Sequence, residues 1–287
     1  MKLRASAPNL RQQTGADMTL DLVARDGLVL LGCGKMGTAL LTGWLAAGVP
    51  AGSVWVIEPQ PTDWLESCGV HLNAGIPPAP AVAVIAVKPQ MMGAALPALR
   101  ALGNGKTLFV SIAAGTSIAA FATAFGQDTP IVRTMPNTPA MVGRGITGIC
   151  GNAPAGAAGL AMASALMAAV GEVVELDGEH QIDAVTGVSG SGPAYVFHLI
   201  EAMAAAGEAQ GLSAGVAMQL ARATVCGAGE LAHRAPETAA ALRINVTSPN
   251  GTTAAALAVL MDPHTGFSPL LARAVKAATD RGRELGS

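Results

Sequence analysis

Aromatic side chains are scarce: five Phe, three Trp and one Tyr make up 3% of the 287 residues. Charge is scarce too, at 13% of residues, and a net charge of −2 leaves no basic excess. Nucleic-acid binding calls for basic stripes and stacking rings, so that class is excluded. Cysteine is sparse and dispersed. Cys33, Cys68, Cys150 and Cys226 form no C-x-x-C pair and have no histidine at ligand spacing. No metal site is expected, and reduced thiols in a cytoplasmic protein are the ordinary reading. The uncharged stretch 153–171 approaches the length of a membrane span but is mostly Ala and Gly. Its Leu160, Ala163, Leu166, Met167 and Val170 fall at helical spacing, which predicts a closely packed buried helix and no membrane contact. Residues 1–26 contain Lys2, Arg4 and Arg11 but no apolar run of the kind a secretory signal needs, and read as a flexible N-terminal tail.

With so little charge and a mean hydropathy of +0.45, the chain must bury much of its surface, within itself or against another chain. The strongest local signal is at residues 28–41. Four apolar residues, Leu28-Val-Leu-Leu31, read as a buried strand; Gly32-x-Gly34-x-x-Gly37 follows, and then a helical pattern through Leu40, Leu41, Trp44 and Leu45. In that order Gly32 suits the tight turn, Gly34 the close approach of a pyrophosphate, and Gly37 the packing of helix on strand. The start of the helix offers N–H groups to the anion. A dinucleotide site is the better reading than a glycine turn that binds nothing.

Further strands are predicted at Val54–Ile57, Val82–Val87, Thr107–Ser111, Ile131–Thr134 and Val173–Leu176, with helices near 90–102, from Ser117 and over 153–170. This alternation predicts an α/β fold: a doubly wound, mainly parallel, Rossmann-type sheet over 27–177. Its strand-end turns at 32–37, 58, 86–89, 112–114 and 135–139 are placed to converge on one ligand. From Glu179 the strand pattern stops and four helices follow, giving an all-helical domain over 178–287. Its Ala/Gly seams predict dimerisation through packing against a second copy.

Several residues carry two readings at this level. Glu58 lies about twenty residues past the glycines, where a carboxylate accepts from the ribose 2′-hydroxyl of NAD and repels the 2′-phosphate of NADP; it is also simply an acid at a strand end. No Arg or Lys follows in Glu58-Pro-Gln-Pro-Thr62, which favours a mild NADH preference. Lys88 is a cofactor ligand or a solvated lysine. Glu179 and His180 are site residues or a polar domain junction. The Ser/Thr/Gly-rich loops 189–192 and 247–253 offer backbone donors that suit a carboxylate, or merely cap helices.

Taken together, Gly32-Cys-Gly-Lys-Met-Gly37, Ala86-Val-Lys-Pro89, Ser111-Ile-Ala-Ala-Gly115, Met135-Pro-Asn-Thr-Pro139, Asp183-Ala-Val-Thr-Gly-Val-Ser-Gly-Ser-Gly-Pro-Ala-Tyr195 and Val246-Thr-Ser-Pro-Asn-Gly-Thr-Thr253 occur in this order. The chain closely resembles the pyrroline-5-carboxylate reductase family over 28–285. The resemblance implies hydride transfer from NADPH or NADH to C5 of 1-pyrroline-5-carboxylate, a cyclic imino acid, giving L-proline in the last step of its biosynthesis. It implies a homodimer through the helical domain and larger rings such as a decamer. By the same resemblance Gly32, Cys33, Gly34, Lys35, Met36, Gly37, Glu58, Asn73, Ala86, Val87, Lys88, Pro89, Ile112, Ala113 and Ala114 line the cofactor, and Asn245 reaches it from the helical domain. Ser248, Gly251, Thr252 and Thr253 bind the substrate carboxylate, Glu179 lies near the substrate, and Thr253, the catalytic residue, holds its hydroxyl close to the ring nitrogen.

Three positions depart from the family pattern: Asn250 replaces Gly, Ile244 stands where an acid is common, and Glu58 replaces a small or polar residue. A 3-hydroxyacid dehydrogenase of the same architecture needs a lysine in the helical half, and residues 179–275 contain none. A dinucleotide sensor without turnover is the reading from another class, and it has no need of the second anion loop at 247–253.

Overall fold

The computed structural model describes Thr19 and residues 21–286. Eight strands form one sheet in the order β3-β2-β1-β4-β5-β6-β7-β8. They are β1 (Leu28–Leu31), β2 (Val54–Ile57), β3 (His71–Leu72), β4 (Val82–Ile85), β5 (Leu108–Ser111), β6 (Ile131–Met135), β7 (Gly145–Gly151) and β8 (Gly171–Glu175). The first six follow the doubly wound dinucleotide-binding order. All neighbouring pairs are parallel except β6 with β7. The longer helices are α1 (Lys35–Ala46), α2 (Ile118–Phe125), α3 (Gly156–Ala168), α4 (Gly192–Ala209), α5 (Ala214–Arg234), α6 (Ala239–Asn245), α7 (Thr252–Leu260) and α8 (Phe267–Gly286).

The apolar runs of β1 and β4, and of Leu108–Val110 in β5, are those of strands covered on both faces. Alternate residues feed two cores. Leu28, Leu30, Val84 and Val110 meet Leu40, Leu41 and Trp44 of α1 and Leu166 and Met167 of α3. Val29, Leu31, Ile85 and Phe109 meet Phe121 and Phe125 of α2. The Trp44 indole N–H donates to the Leu166 carbonyl at 2.9 Å, so α1 and α3 are tied inside the first core. The helix expected over 153–170 is the shorter α3, with Gly159, Ala163, Leu166 and Met167 buried. Among the described residues no helix is long and apolar enough to cross a membrane.

Four expectations change. Residues 21–26 are helical, which corrects the reading of 1–26 as a flexible tail. Val23 is fully buried in the first core, and the Ala24 carbonyl accepts from Ser53 Oγ at 3.0 Å. Residues 1–18 lie outside the described residues. The helix expected near 90–102 breaks into Met92–Ala95 and a 3₁₀ segment, Leu96–Leu102, with Pro97 at the break. Strand β7 was not anticipated, because Gly145, Gly148 and Gly151 dilute its period-two pattern. Strand β3 has two residues, too few to show a period.

The chain divides into two compact units. The sheet unit runs to Gly190 and takes back the residues from Ala278 onward; the helical unit is Ser191–Ala277. The strand pattern had suggested a border at 177/178. Residues 179–190 go with the sheet through bonds of Glu179 and Ser189, and the last turn of α8 through close packing of Leu285 on Gly115. In the helical unit α4 packs on α5 around Ala204, Ala217 and Ala221, with Gly207 allowing the approach.

Candidate active site

Within the sheet unit, β1, β2, β4 and β5 are paired flush, so their carboxyl ends finish together. The Gly32 N–H donates to the Ile57 carbonyl, the Ala86 N–H to Leu31 and the Ile112 N–H to Ile85, continuing the ladder into the turns. The structure thus brings together the glycine loop, Glu58, Ala86, Val87 and Ile112–Ala114. Lys88 and Pro89 follow on the surface of the same edge.

The three glycines of the loop differ in what surrounds them. Gly32 has φ +89°, and an added Cβ would lie 2.7 Å from Val87 Cγ1 and 2.9 Å from the Ala86 carbonyl oxygen. A Cβ on Gly37 would lie 2.7 Å from the Gly32 carbonyl oxygen. At Gly34 nothing lies within 4 Å, so the loop is open where a pyrophosphate approaches. Gly34 caps α1 without a side-chain hydrogen bond, and the first turn of that helix carries no acid. Its amide dipoles therefore face outward toward an anion. Thr38 Oγ braces the loop by donating to the Cys33 carbonyl at 3.1 Å. These residues fit a dinucleotide.

Glu58 folds back onto this loop, and its Oε2 accepts the Cys33 N–H at 2.7 Å. Asn73 reaches the same place in a way that spacing did not show. Its side-chain oxygen accepts the Glu58 N–H at 3.0 Å and its Nδ2 donates to the Glu58 carbonyl at 2.9 Å.

Glu179 sits elsewhere in the sheet unit. One carboxylate oxygen accepts the Ile118 N–H at 2.8 Å and Arg133 Nη1 at 2.7 Å. It therefore holds the first turn of α2 and neutralises a guanidinium whose side chain is 8% exposed. A cavity of about 410 Å³ adjoins the pair, lined in part by Ser117, His180 and Asp183. Arg133 was not singled out from sequence, although one cation inside the apolar strand Ile131–Met135 was the available signal. Asn137 joins two of the motif stretches: its Nδ2 donates to the Ser189 carbonyl at 3.2 Å and its Oδ1 accepts the Ile146 N–H at 2.9 Å.

In the helical unit, Asn245 ends α6 and the loop 246–251 turns into α7. Thr247 Oγ donates to the Arg243 carbonyl at 2.6 Å and the Gly251 N–H to Ser248 at 3.1 Å. Asn250 has φ +57°, the left-handed conformation that glycine serves elsewhere and that Asn tolerates best among the other residues. Gly251 caps α7 with no side-chain bond, leaving the amides of Thr252 and Thr253 pointing out of the helix. A Cβ on Gly251 would collide with Ser248 Oγ, so the hydroxyl lies directly over the cap. The structure brings Ser248, Gly251, Thr252 and Thr253 together at the start of α7.

Two family models match the chain: pyrroline-5-carboxylate reductase dimerisation over residues 179–285, and NADP oxidoreductase, coenzyme F420-dependent, over 28–115. The pyrroline-5-carboxylate reductase of Pseudomonas aeruginosa is 42% identical over 264 residues, covering 90% of this chain and 96% of that one. The chain belongs to the pyrroline-5-carboxylate reductase family. The Escherichia coli member of the reductase family is 36% identical over 265 residues, covering 89% and 96%. Among solved structures, the Coxiella burnetii reductase superposes with a TM-score of 0.84 at 33% identity, covering 91% of this chain and 99% of that one. The Plasmodium falciparum pyrroline carboxylate reductase, solved with NADP bound, has a TM-score of 0.78 at 28% identity, covering 92% and 99%.

Proposed function

We propose that the chain reduces 1-pyrroline-5-carboxylate to L-proline with a nicotinamide dinucleotide. The observation that carries this reading is the pairing, in one reductase-family chain, of a fitted dinucleotide loop with a second anion mouth at 248–253. When bound, NADPH or NADH supplies a hydride to C5 of the imine. The glycine loop and the amides of α1 hold the pyrophosphate, while Ala86–Pro89 and Ile112–Ala114 contribute the wall of the strand-end crevice. Asn245 supports the cofactor from the helical unit.

The substrate is a carboxylate next to an imine. Outward N–H groups of Thr252 and Thr253, with the Ser248 hydroxyl, suit the carboxylate. The imine arrives protonated at its ring nitrogen and already electrophilic at C5, so no strong acid is required of the protein. Thr253 Oγ accepts from that nitrogen and fixes which face of the ring is presented. Glu179 acts through Arg133 and α2, keeping the strand-end crevice in shape near the substrate. The apolar faces of α4, α5 and α7 suit pairing with a second copy, and larger rings such as a decamer are compatible with it. The dispersed, unpaired cysteines support a cytoplasmic setting.

The test is oxidation of NADH and NADPH, run side by side, by the purified protein given pyrroline-5-carboxylate. In Thr253→Val, kcat/KM for the imine falls about 10- to 100-fold, the worth of a hydrogen bond to a charged group, roughly 1.5–3 kcal/mol. Cofactor affinity stays unchanged. Unaltered kinetics in that variant would remove Thr253 from the mechanism. Tight cofactor binding with no imine-dependent oxidation would favour a dinucleotide sensor instead.

A further inference from the structure

Two hydrogen-bonding groups of Glu58 are fixed before any nucleotide arrives. Its Oε2 accepts the Cys33 N–H at 2.7 Å and its Oε1 accepts the Gln60 N–H at 3.0 Å. The carboxylate is thus held against the glycine loop, and Cys33, one of the amides there, is already occupied. The backbone of Glu58 is held as firmly, through the reciprocal pair of bonds with the Asn73 side chain. The Asn73 N–H donates in turn to the Val56 carbonyl at 2.8 Å. Asn73 itself has φ +50°, a conformation that few side chains tolerate, so its amide is delivered from a backbone position suited to little else.

A carboxylate at this place has lone pairs left to accept from the 2′- and 3′-hydroxyls of an adenosine ribose. A 2′-phosphate at the same place brings like charge, and the Cys33 amide cannot turn to receive it. Residues 58–62 contain no Arg or Lys to offset the repulsion. Lys35 is the first residue of α1, at the helix start where the pyrophosphate common to both nucleotides binds. We infer that this reductase prefers NADH, with Glu58 as the residue that rejects the 2′-phosphate and Asn73 as the positioning residue that holds Glu58 in place. The inference rests on the dinucleotide reading of the glycine loop given above.

The experiment is titration of the full-length protein with NADH and with NADPH at one fixed ionic strength, following nicotinamide fluorescence, with no imine present. Like charges in contact cost enough that NADH is expected to bind at least about tenfold more tightly. Glu58→Ser brings the two dissociation constants within about threefold of each other, chiefly by strengthening NADPH. Asn73→Gly keeps the positive φ and removes only the clamp. It weakens NADH more than NADPH and lowers their ratio at least about threefold. Equal or tighter binding of NADPH by the unaltered protein overturns the inference while leaving the cradle intact. So does an unchanged ratio in Glu58→Ser. A proportional loss of both nucleotides in Asn73→Gly would reduce Asn73 to a structural role and overturn its part. Binding of neither nucleotide would bring down the cradle, and this inference with it.

Discussion

The two units of this chain bury their apolar residues very differently. The sheet unit carries two cores in which whole strands are inaccessible to water, including Val29, Val82, Phe109 and Ile131. The helical unit has a small cluster of three buried alanines with Ile200 against it, while Phe197 is 61% exposed and Val259 70% exposed. Leu220, Val216 and Met261 are exposed as well. Hydrophobic burial is the main favourable contribution to folding, so a helical unit of this kind in a single copy lacks most of what holds the sheet unit together. The contrast teaches that one unit buries apolar cores of its own while the other leaves apolar faces open for association, in keeping with the dimerisation family to which its sequence belongs.

The contrast is sharpened first by Trp44→Ala. The indole is fully buried, bonded to Leu166 and wedged between α1 and the sheet. Its loss costs about 3–5 kcal/mol, read as a lower urea midpoint of the purified protein. A variant that unfolds at the same urea concentration would contradict the two-core account. Next comes Phe197→Asp, on the exposed face of α4. A charge there is expected to shift the protein to the monomer by light scattering and to lower imine reduction roughly tenfold or more, because aromatic side chains at such surfaces each carry a few kcal/mol of association. Retention of the assembled state would break the comparison. The smallest effect separates the thiols. Cys150 is buried, and burial first, then Glu179, pushes its thiol up to about 11, with Arg133 opposing. Burial likewise raises Cys33. Near neutral pH Cys226, exposed on α5, is expected to take iodoacetamide while Cys33 and Cys150 do not, as peptide mass spectrometry would read out. Equal labelling of all three would mean that the sheet unit opens readily.

What was legible in the sequence followed from local signals. The strand, glycine turn and helix at 28–46 combine periodicity with steric demands that few residue types meet, and the structure has Gly32 and Gly37 under the steric constraints their positions suggested. The buried strands were legible because parallel sheets leave no polar face to interrupt them. Strand β7 was illegible for the opposite reason: Gly145, Gly148 and Gly151 are present for close packing and carry no hydrophobic pattern. Residues 21–26 were lost among polar neighbours, since a single buried Val23 does not make a period. At the site, Glu58 was visible from its spacing. The bonds of Asn73 to it, and of Arg133 to Glu179, join residues 15 and 46 positions apart, and no local rule foretells such partners.

The return of residues 278–286 to the sheet unit has a consequence for how the molecule is made. Leu285 lies against Gly115, whose φ of +73° suits the close approach, directly after the Ile112–Ala114 turn. The helical segment is therefore an insertion, tethered at both of its ends to the same partner. During synthesis the nucleotide half emerges early yet stays short of its closing turn until the inserted helical segment has also left the ribosome.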